Sequence, residues 1–501
     1  MSVNNTKRKI VMDMEANNLY PAVTVLHCAV ATDLVTSESF QFRPEQMING
    51  EFTDFLDSCD FIACHNGIGF DFPAIEKVLG WKPTDPSYLF DTLVFSRTLS
   101  PDRLPPFGAR FPHSVESWGR RFGIKKPEYE QWETYDEEMM HRCSEDTRIQ
   151  TMMFKVLCQE AGFDIKHIDP RNPDGYRKGE PNWAESLYNE HRSSTIMFAQ
   201  EMNGCSFDFE RALEFIKTLN DFSDEKSEYI LRNIPISYKQ YGVSVSAPFK
   251  MNGDYKKMTT DWYEDEVHLV GGPFSRIQEC ILNLNSAKQL KDWLYTVGWV
   301  PDEWNYKKNK AGKLEKDEDG NLIKTSPKIT QSSLDRIDGH LGECISLRNK
   351  ANHKRNQLQG FCDRTNKQTL RIPAGANPQG TPTARMKHRN VANVPKASSF
   401  ENKKDKNDPR NGSLLWFPEK QDPFFGTEMR SVFKAADNKV LVGRDAAGLE
   451  FRCFAHYVGD EELIDVILNQ DIHTYNQLKA GLPTRSIAKT FILTNARMTW
   501  V

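Results

Sequence analysis

A chain of 501 residues, 39% hydrophobic and 27% charged, has the make-up of a globular protein of roughly two to four domains, with material for sizeable cores. Its 65 basic residues stand against 69 acidic ones, a formal charge of -4, so any nucleic-acid contact must come from local clusters rather than an overall basic surface. Ten scattered cysteines without a C-x-x-C pair argue against a zinc ribbon and for reduced, buried thiols of a cytoplasm-like compartment. The opening "MSVNNTKRKIV" has no apolar signal-peptide core, and no apolar run is long enough to suggest a membrane span.

In chain order, "KIVMDME" and "TVLHCAVAT" read as neighbouring strands and "CDFIACHN" as a third. "PAIEKVLGW" and "EEMMHRCSEDTRIQTMMFKVLCQEAGF" carry the apolar spacing of helices. Strands followed by helices predict an α/β sheet domain over residues 1–165. "IDPRNPDGYRKGEPN" reads as part of a linker over 166–183. The pattern is helical from 184 to 235 and irregular from 234 to 280. "NSAKQLKDWLYTVGW" predicts a helix, followed by "NYKKNKAGKLEKDEDGNLIKTSPK", a charged flexible loop by composition. "LGECISLRNKANHKRNQLQGF" predicts a helix bearing Arg348, Lys350, Lys354 and Arg355, and a second charged loop runs from 396 to 413. No internal repeat is evident.

The apolar run of the first strand closes on two acids, Asp13 and Glu15. By itself D-x-E also describes a strand end open to solvent. Two further acids add weight. Asp71 stands just ahead of a helix with Pro73 in its first turn, and Asp146 lies inside a helix. Four carboxylates cannot share a small pocket ionised without cations. Two Mg²⁺ ions, bound by hard oxygen ligands, would supply them, with Mn²⁺ able to substitute. Such a pair suits phosphodiester hydrolysis, holding attacking water and leaving oxygen.

The order D-x-E, H-N-G-x-x-x-D and a helical Asp resembles the DEDD 3′–5′ exonucleases. More closely, "HNGIGFDFPAI", "FDTLVFSRTL", "HSVESWGRRFGIKKPEYE" and "DEEMM" together resemble the proofreading domain of phage family A DNA polymerases, relatives of bacterial DNA polymerase I. The resemblance implies a ribonuclease H-like domain with Asp13, Glu15, Asp71 and Asp146 as metal ligands, acting on single-stranded 3′ ends. It also shows a departure: these polymerases usually place Tyr four residues before the last Asp, where this chain has Arg142. His141, five residues before Asp146, stands in the register of the histidine subclass. It reads either as a general base or water-orienting group, or as an exposed residue beside an Arg142–Asp146 pair.

The second half carries the resemblance on. "NKVLVGRDAAGLEFRCFAHYVGD" has an apolar strand, Val440 to Val442, leading to Asp445 and then a helix with Glu450. This is similar to motif A of family A polymerases, with Ala447 where Ser is usual. It implies Asp445 as a metal ligand and Glu450 beneath the sugar of an incoming dNTP. "DIHTYNQLKAGLPTRSIAKTFI" places His473, Arg485 and Lys489 as the family's triphosphate-holding set, Arg485 and Lys489 being one helical turn apart. "ANPQGTPTARMKHRNVANVP" resembles the segment that grips the primer-template, with Arg385 matching and Ala384 replacing a Gly. "FFGTEMRSVFKA" supplies Arg430, and the helix with Lys354 and Arg355 resembles part of the thumb, lying against phosphates. The insert around 234–280 is shorter and less basic than the clamp-binding loop of thioredoxin-using relatives, so a thioredoxin-like processivity factor stays open.

The resemblance thus implies an α/β exonuclease domain, a mostly helical thumb over 184–375, and an incomplete α+β palm and fingers over 376–501. After Lys489 the family expects K-x3-Y-G and then a second palm carboxylate in an H-D-E motif; position 493 is Leu and the sequence runs "LTNARMTWV". This predicts an interrupted polymerase gene, through an intron, a split gene or a frameshift, whose nucleotidyl transfer needs a C-terminal polymerase fragment. The leading expectation is a replicative DNA-directed DNA polymerase portion with a Mg²⁺-dependent proofreading exonuclease, phage-encoded and working in the bacterial cytoplasm. The alternatives are a non-catalytic primer-template-binding fragment and a decayed remnant with an exposed sheet edge.

Overall fold

The computed structural model describes residues 7–488 except 167, 169–182, 235, 310–313, 338, 382, 384, 398–406, 408, 414–423, 447, 448 and 486; the side chains of Ser237, Glu450 and Phe451 are also outside the description. The first apolar run forms β1 (Arg8–Ala16), the middle of a sheet ordered β3-β2-β1-β4-β5, with β2 at Leu26–Asp33, β3 at Ser39–Phe42, β4 at Cys59–Cys64 and β5 at Leu89–Asp91. β1 runs antiparallel to β2 and parallel to β4. Both of its faces are covered, which is why it reads as an almost unbroken apolar run. Ile10, Met12 and Met14 enter one core with Phe42, Phe52, Leu56 and Ile75. Val11 enters the other, with Phe61, Phe90, Trp118 and Phe154.

The first core is roofed by α1 (Pro44–Ile48), α2 (Glu51–Asp57) and α3 (Asp71–Leu79). The second lies under α4 (Thr92–Leu99), α5 (Val115–Phe122) and α6 (Glu137–Ala161). α6 begins where the Asp136 side chain accepts from the Met139 N–H, and it ends at Gly162 with φ 70°. These are the usual start and stop of a helix. Its Phe154 ring meets those of Phe61, Phe90 and Phe95 at centroid distances of 5.5–6.0 Å.

Beyond this sheet, α7 (Trp183–Asn203) and α8 (Phe209–Arg232) flank the short β6 (Cys205–Phe207). The irregular stretch that follows is closed by β7 (Ser237–Gln240) pairing with β8 (Ile277–Cys280), with α9 (Lys257–Tyr263) between them. α10 (Ala287–Thr296) follows as expected. The charged segment expected to be a flexible loop is instead partly paired. β9 (Trp304–Tyr306) runs antiparallel to β10 (Lys324–Pro327), and bridges join Lys308 to Leu314 and Lys316 to Leu322. The reason is turn chemistry within "DEDGN": Gly320 has φ +83°, and the Asp317 carboxylate accepts from the Asn321 N–H at 2.8 Å.

After α11 (Gln331–Leu334), the basic helix α12 (Leu341–Arg364) packs along α8, sharing a core of Leu219, Leu358, Phe361 and Phe425. Arg348, expected along a phosphate-facing stripe, is buried. It donates to Ser227 Oγ, the Leu284 carbonyl and Asn285 Oδ1, and so ties three segments together. β11 (Arg371–Ile372), β12 (Ala376–Asn377), β13 (Lys387–His388), α13 (Gly426–Ser431) and β14 (Phe433–Lys434) complete this part, with a small sheet ordered β11-β6-β14.

The contacts define two compact units, Met1–Lys434 and Ala435–Val501. Within the first unit β6 pairs with β11 and β14 and so joins 205–207 to residues on both sides of 376. The second unit contains α14 (Leu449–Val458), α15 (Glu461–Asn469) and α16 (Ile472–Lys479). The strand expected at Val440 to Val442 is absent: these residues lie in irregular backbone and are 82%, 66% and 86% exposed. An apolar run becomes a strand only when a neighbour accepts its hydrogen bonds, and no described residue pairs there. No described helix is long and apolar enough to cross a membrane.

Emptying the Phe154 site should cost about 3–5 kcal/mol. Phe154→Ala is therefore expected to lower the denaturant midpoint of the first unit. Met152→Ala, on the exposed side of the same helix, should stay within about 0.5 kcal/mol of the parent.

Candidate active site

Side chains on a strand alternate, so residues two apart share a face. That makes D-x-E on β1 a spatial statement: Asp13 and Glu15 point to the side of Val11, which α6 covers. α6 brings Asp146 down onto them. Oxygen atoms of Asp13, Glu15 and Asp146 all lie within 4.8 Å of one another. Asp71, the first residue of α3, is 2% exposed and close enough to raise the Asp13 carboxyl.

The loop that delivers Asp71 is held from beneath. Asp91, at the end of β5, caps α4 by accepting from the Leu93 N–H. The same carboxylate accepts from the Asn66 N–H at 3.0 Å and the Ile68 N–H at 3.1 Å. Gly67 leaves no room for a side chain, since a Cβ would sit 2.8 Å from both Cys64 and the Phe72 ring. The Asp91 N–H in turn donates to His191 Nε2 of α7 at 2.9 Å.

Burial and crowding leave these acids short of positive charge. Burial first, then Asp146, Glu15 and Asp71, pushes the Asp13 carboxyl well above its usual range. Burial lifts Glu15 to about 7 despite the opposing pull of Arg142. Burial, followed by repulsion from Asp91, lifts Asp71 to about 8. Asp146 is 3% exposed, and its buried Oδ1 has no hydrogen-bond partner among the described residues. Clustered carboxylate oxygens with an orphaned acceptor are a donor set that fits a hard divalent cation.

Protein cations already touch two of the four. Arg142 Nε lies 3.3 Å from Glu15 Oε1. Its Nη1 donates to the Pro127 carbonyl at 2.7 Å, and its guanidinium sits 5.0 Å over the Trp132 ring. Lys126 pairs with Asp146. Gln150 donates to Asp13 Oδ1 at 2.9 Å, and Cys143 Sγ donates to the Asp13 carbonyl at 3.3 Å. A cleft of 810 Å³ opens beside Lys126 and Arg142, lined also by Arg120, Lys125, Phe107 and Tyr129.

His141 does not join this group. It is exposed, and on a continuous helix five positions turn it about 140° from Asp146, whereas Arg142 shares the face of Asp146. The Arg142–Asp146 pair of the alternative reading is not formed either: the pairs are Arg142–Glu15 and Lys126–Asp146. Lys126, Asp91, Trp132 and Gln150 were not singled out from sequence. Only Asp91, a helix-capping acid before an apolar run, carried a local signal.

The remaining expected residues are dispersed. On α12, burial draws the Lys354 ammonium below its usual range, and Arg355 donates to Asn220 Oδ1 at 3.2 Å. Arg385 is exposed, its N–H donating to Thr381 Oγ1 at 2.9 Å. Arg430 donates to the Pro395 carbonyl at 2.7 Å. In the second unit, Asp445 is exposed in irregular backbone, and Glu450 lies in α14. His473 is in the first turn of α16. Arg485 makes a two-pronged pair with Asp471 at 2.6 and 3.0 Å, holding that carboxyl well below its usual range. Lys489 lies outside the described residues.

The raised carboxyls set a pH dependence. Between the ordinary carboxylate range and about 7 to 8, folded Glu15 and Asp71 hold protons that the unfolded chain has released. Their stabilising contribution is complete below the unfolded values and is lost as pH rises through the folded ones. In chelator, the melting temperature of the first unit should fall from about pH 5 to about pH 8. Asp71→Asn should flatten that fall. Mg²⁺ should raise the melting temperature more at the upper end, where the ligands are deprotonated.

Comparisons with known proteins agree with the resemblance. The model of DNA polymerase family A matches residues 255–489, downstream of the carboxylate cluster. The chain is 27% identical over 558 residues to the DNA-directed DNA polymerase of Escherichia phage T7, covering 96% of this chain and 74% of that one. It is 27% identical over 565 residues to that of Enterobacteria phage T3, with the same coverage. In fold it resembles the POL domain of Pol1 from M. smegmatis, solved in complex with DNA primer-template and dNTP. That likeness has a TM-score of 0.57 at 12% identity, covering 97% of this chain and 67% of that one. The chain is thus similar along nearly its whole length to two phage DNA-directed DNA polymerases, and the model of DNA polymerase family A matches much of its second half.

Proposed function

We propose that this chain is part of a phage-type family A DNA polymerase and carries a divalent-metal-dependent 3′–5′ exonuclease in a ribonuclease H-like domain over residues 1–165, proofreading during phage DNA replication in the bacterial cytoplasm. The observation that carries the reading is the cluster of Asp13, Glu15 and Asp146 oxygens with the orphaned Asp146 Oδ1. Mg²⁺ or Mn²⁺ held by Asp13, Glu15, Asp71 and Asp146 would supply Lewis-acid stabilisation and a nucleophilic water. The chain's own residues do the rest. Arg120 and Lys125 in the adjoining cleft attract the phosphates of a single-stranded 3′ end, and Phe107 and Tyr129 offer faces on which bases stack. Water attacks the last phosphodiester, the bond to the 3′ oxygen breaks, and a 5′-mononucleotide leaves a new 3′-hydroxyl end.

For polymerisation, the reading takes primer-template and dNTPs as substrates. Residues 184–375 serve as thumb and 376–501 as palm and the start of the fingers. Asp445 would be a metal ligand; Glu450, His473, Arg485 and Lys489 would hold the nucleotide. Arg385, Arg430, Lys354 and Arg355 would face DNA. Arg485 would then exchange Asp471 for the triphosphate, a stronger anion in the same two-pronged geometry.

A second reading, a primer-template binder without exonuclease activity, is favoured by one observation: Arg142 and Lys126 sit on the carboxylates that the metal would use. A 5′-labelled primer-template incubated with the chain and Mg²⁺, with and without dNTPs, separates the two. Stepwise shortening that Asp13→Ala or chelator abolishes is the expected result. Intact primer, with DNA still bound and the protein folded, would establish the binder.

A further inference from the structure

Resting on the exonuclease reading, we infer that Arg142 is a built-in counter-cation of the carboxylate site, and that the site therefore takes one divalent ion rather than two.

Arg142 is not a surface arm that happens to lie near an acid. Its side chain is 15% exposed and fixed from three directions, by Glu15 Oε1, the Pro127 carbonyl and the Trp132 ring. Trp132 is itself anchored, its carbonyl lying 2.9 Å from His27 Nε2 of β2. The guanidinium is permanently charged and cannot yield by losing a proton. To vacate Glu15 it would have to leave an aromatic face and a backbone acceptor together. Lys126, by contrast, has a flexible stem and holds Asp146 alone.

The charges agree with the geometry. The four candidate ligands carry four negative charges, and Arg142 and Lys126 return two; Asp91 behind Asp71 is met by the backbone N–H groups of Asn66, Ile68 and Leu93 and stands outside this set. One divalent ion brings the cluster to neutrality; a second would leave a surplus of two positive charges in a mostly buried site, with Arg142 beside it. Like charges at such separations repel strongly where water is excluded. The orphaned Asp146 Oδ1 is the acceptor left for the single ion.

The test counts ions. Mn²⁺ bound by the full chain is measured from the electron paramagnetic resonance signal of the free ion, with an Asp13→Ala/Asp146→Ala variant as the blank, so that ions elsewhere cancel. One ion above the blank is expected for the parent chain. Arg142→Gln and Arg142→Tyr, which remove the charge, are expected to bind two; Arg142→Lys, which keeps it, one. Two ions in the parent would overturn the inference while leaving the exonuclease reading intact. So would a single ion in both neutral variants, with circular dichroism showing each folded. No ion above the blank in the folded parent would remove the exonuclease reading itself, and the inference with it. The parent count is decisive even if a variant fails to fold.

Discussion

The amino-terminal part of this molecule depends on one constraint, the two-residue period of a strand covered on both faces. β1 sends Ile10, Met12 and Met14 into one core and Val11 into the other. The same alternation carries Asp13 and Glu15 onto the face of α6. A shift of one residue in the pairing of β1 with β2 would put the acids into the first core and the methionines against α6. The paired register, Asp13 opposite Val30 and Glu15 opposite Cys28, is therefore the condition for having a site at all.

Burying acids is costly, and each one here is handled differently. Asp91 meets its cost with backbone N–H donors, and by doing so shapes the loop that ends at Asp71. Glu15 meets part of it with Arg142. Asp146 keeps an oxygen unsatisfied, and Asp13 is crowded by its neighbours. The difference between a carboxylate used up by the fold and one with an oxygen left over lies in these partners. Asp91 is as well buried as Asp71, yet its oxygens are used up by the fold.

The polymerase half obeys a different rule. Its landmarks are recognised by order along the chain, but their chemistry needs elements that meet in space. β6 joins residues far apart in sequence, pairing with both 371–372 and 433–434. Val440 to Val442, apolar and unpaired, stay exposed, because hydrophobicity alone does not make a strand. Arg485 settles on Asp471, the nearest anion within its own unit.

Sequence by itself determined the class of several elements that carry a short-range signal, though not at Val440 to Val442, where an apolar run stays unpaired. β1, β2, β4, α3 and α6, the acids Asp13, Glu15, Asp71 and Asp146, and the order of motifs were legible, because periodicity and motif spacing are properties of neighbours along the chain; the shorter β3, β5, α1, α2, α4 and α5 were not singled out. The paired charged segment around "DEDGN" was missed only because its composition outweighed a turn signal that was present. Tertiary structure alone decided which cation meets which acid. Lys126 and Arg142 lie 20 and 4 residues from Asp146 in the chain, yet Lys126 is the one that reaches it, while Arg142 turns to Glu15. It also decided that His141 faces solvent, and that Arg348 is a buried tie rather than a phosphate contact. Long flexible cations take whichever anion the packed backbone brings within reach, and that distance is set by the fold, not by the spacing along the chain.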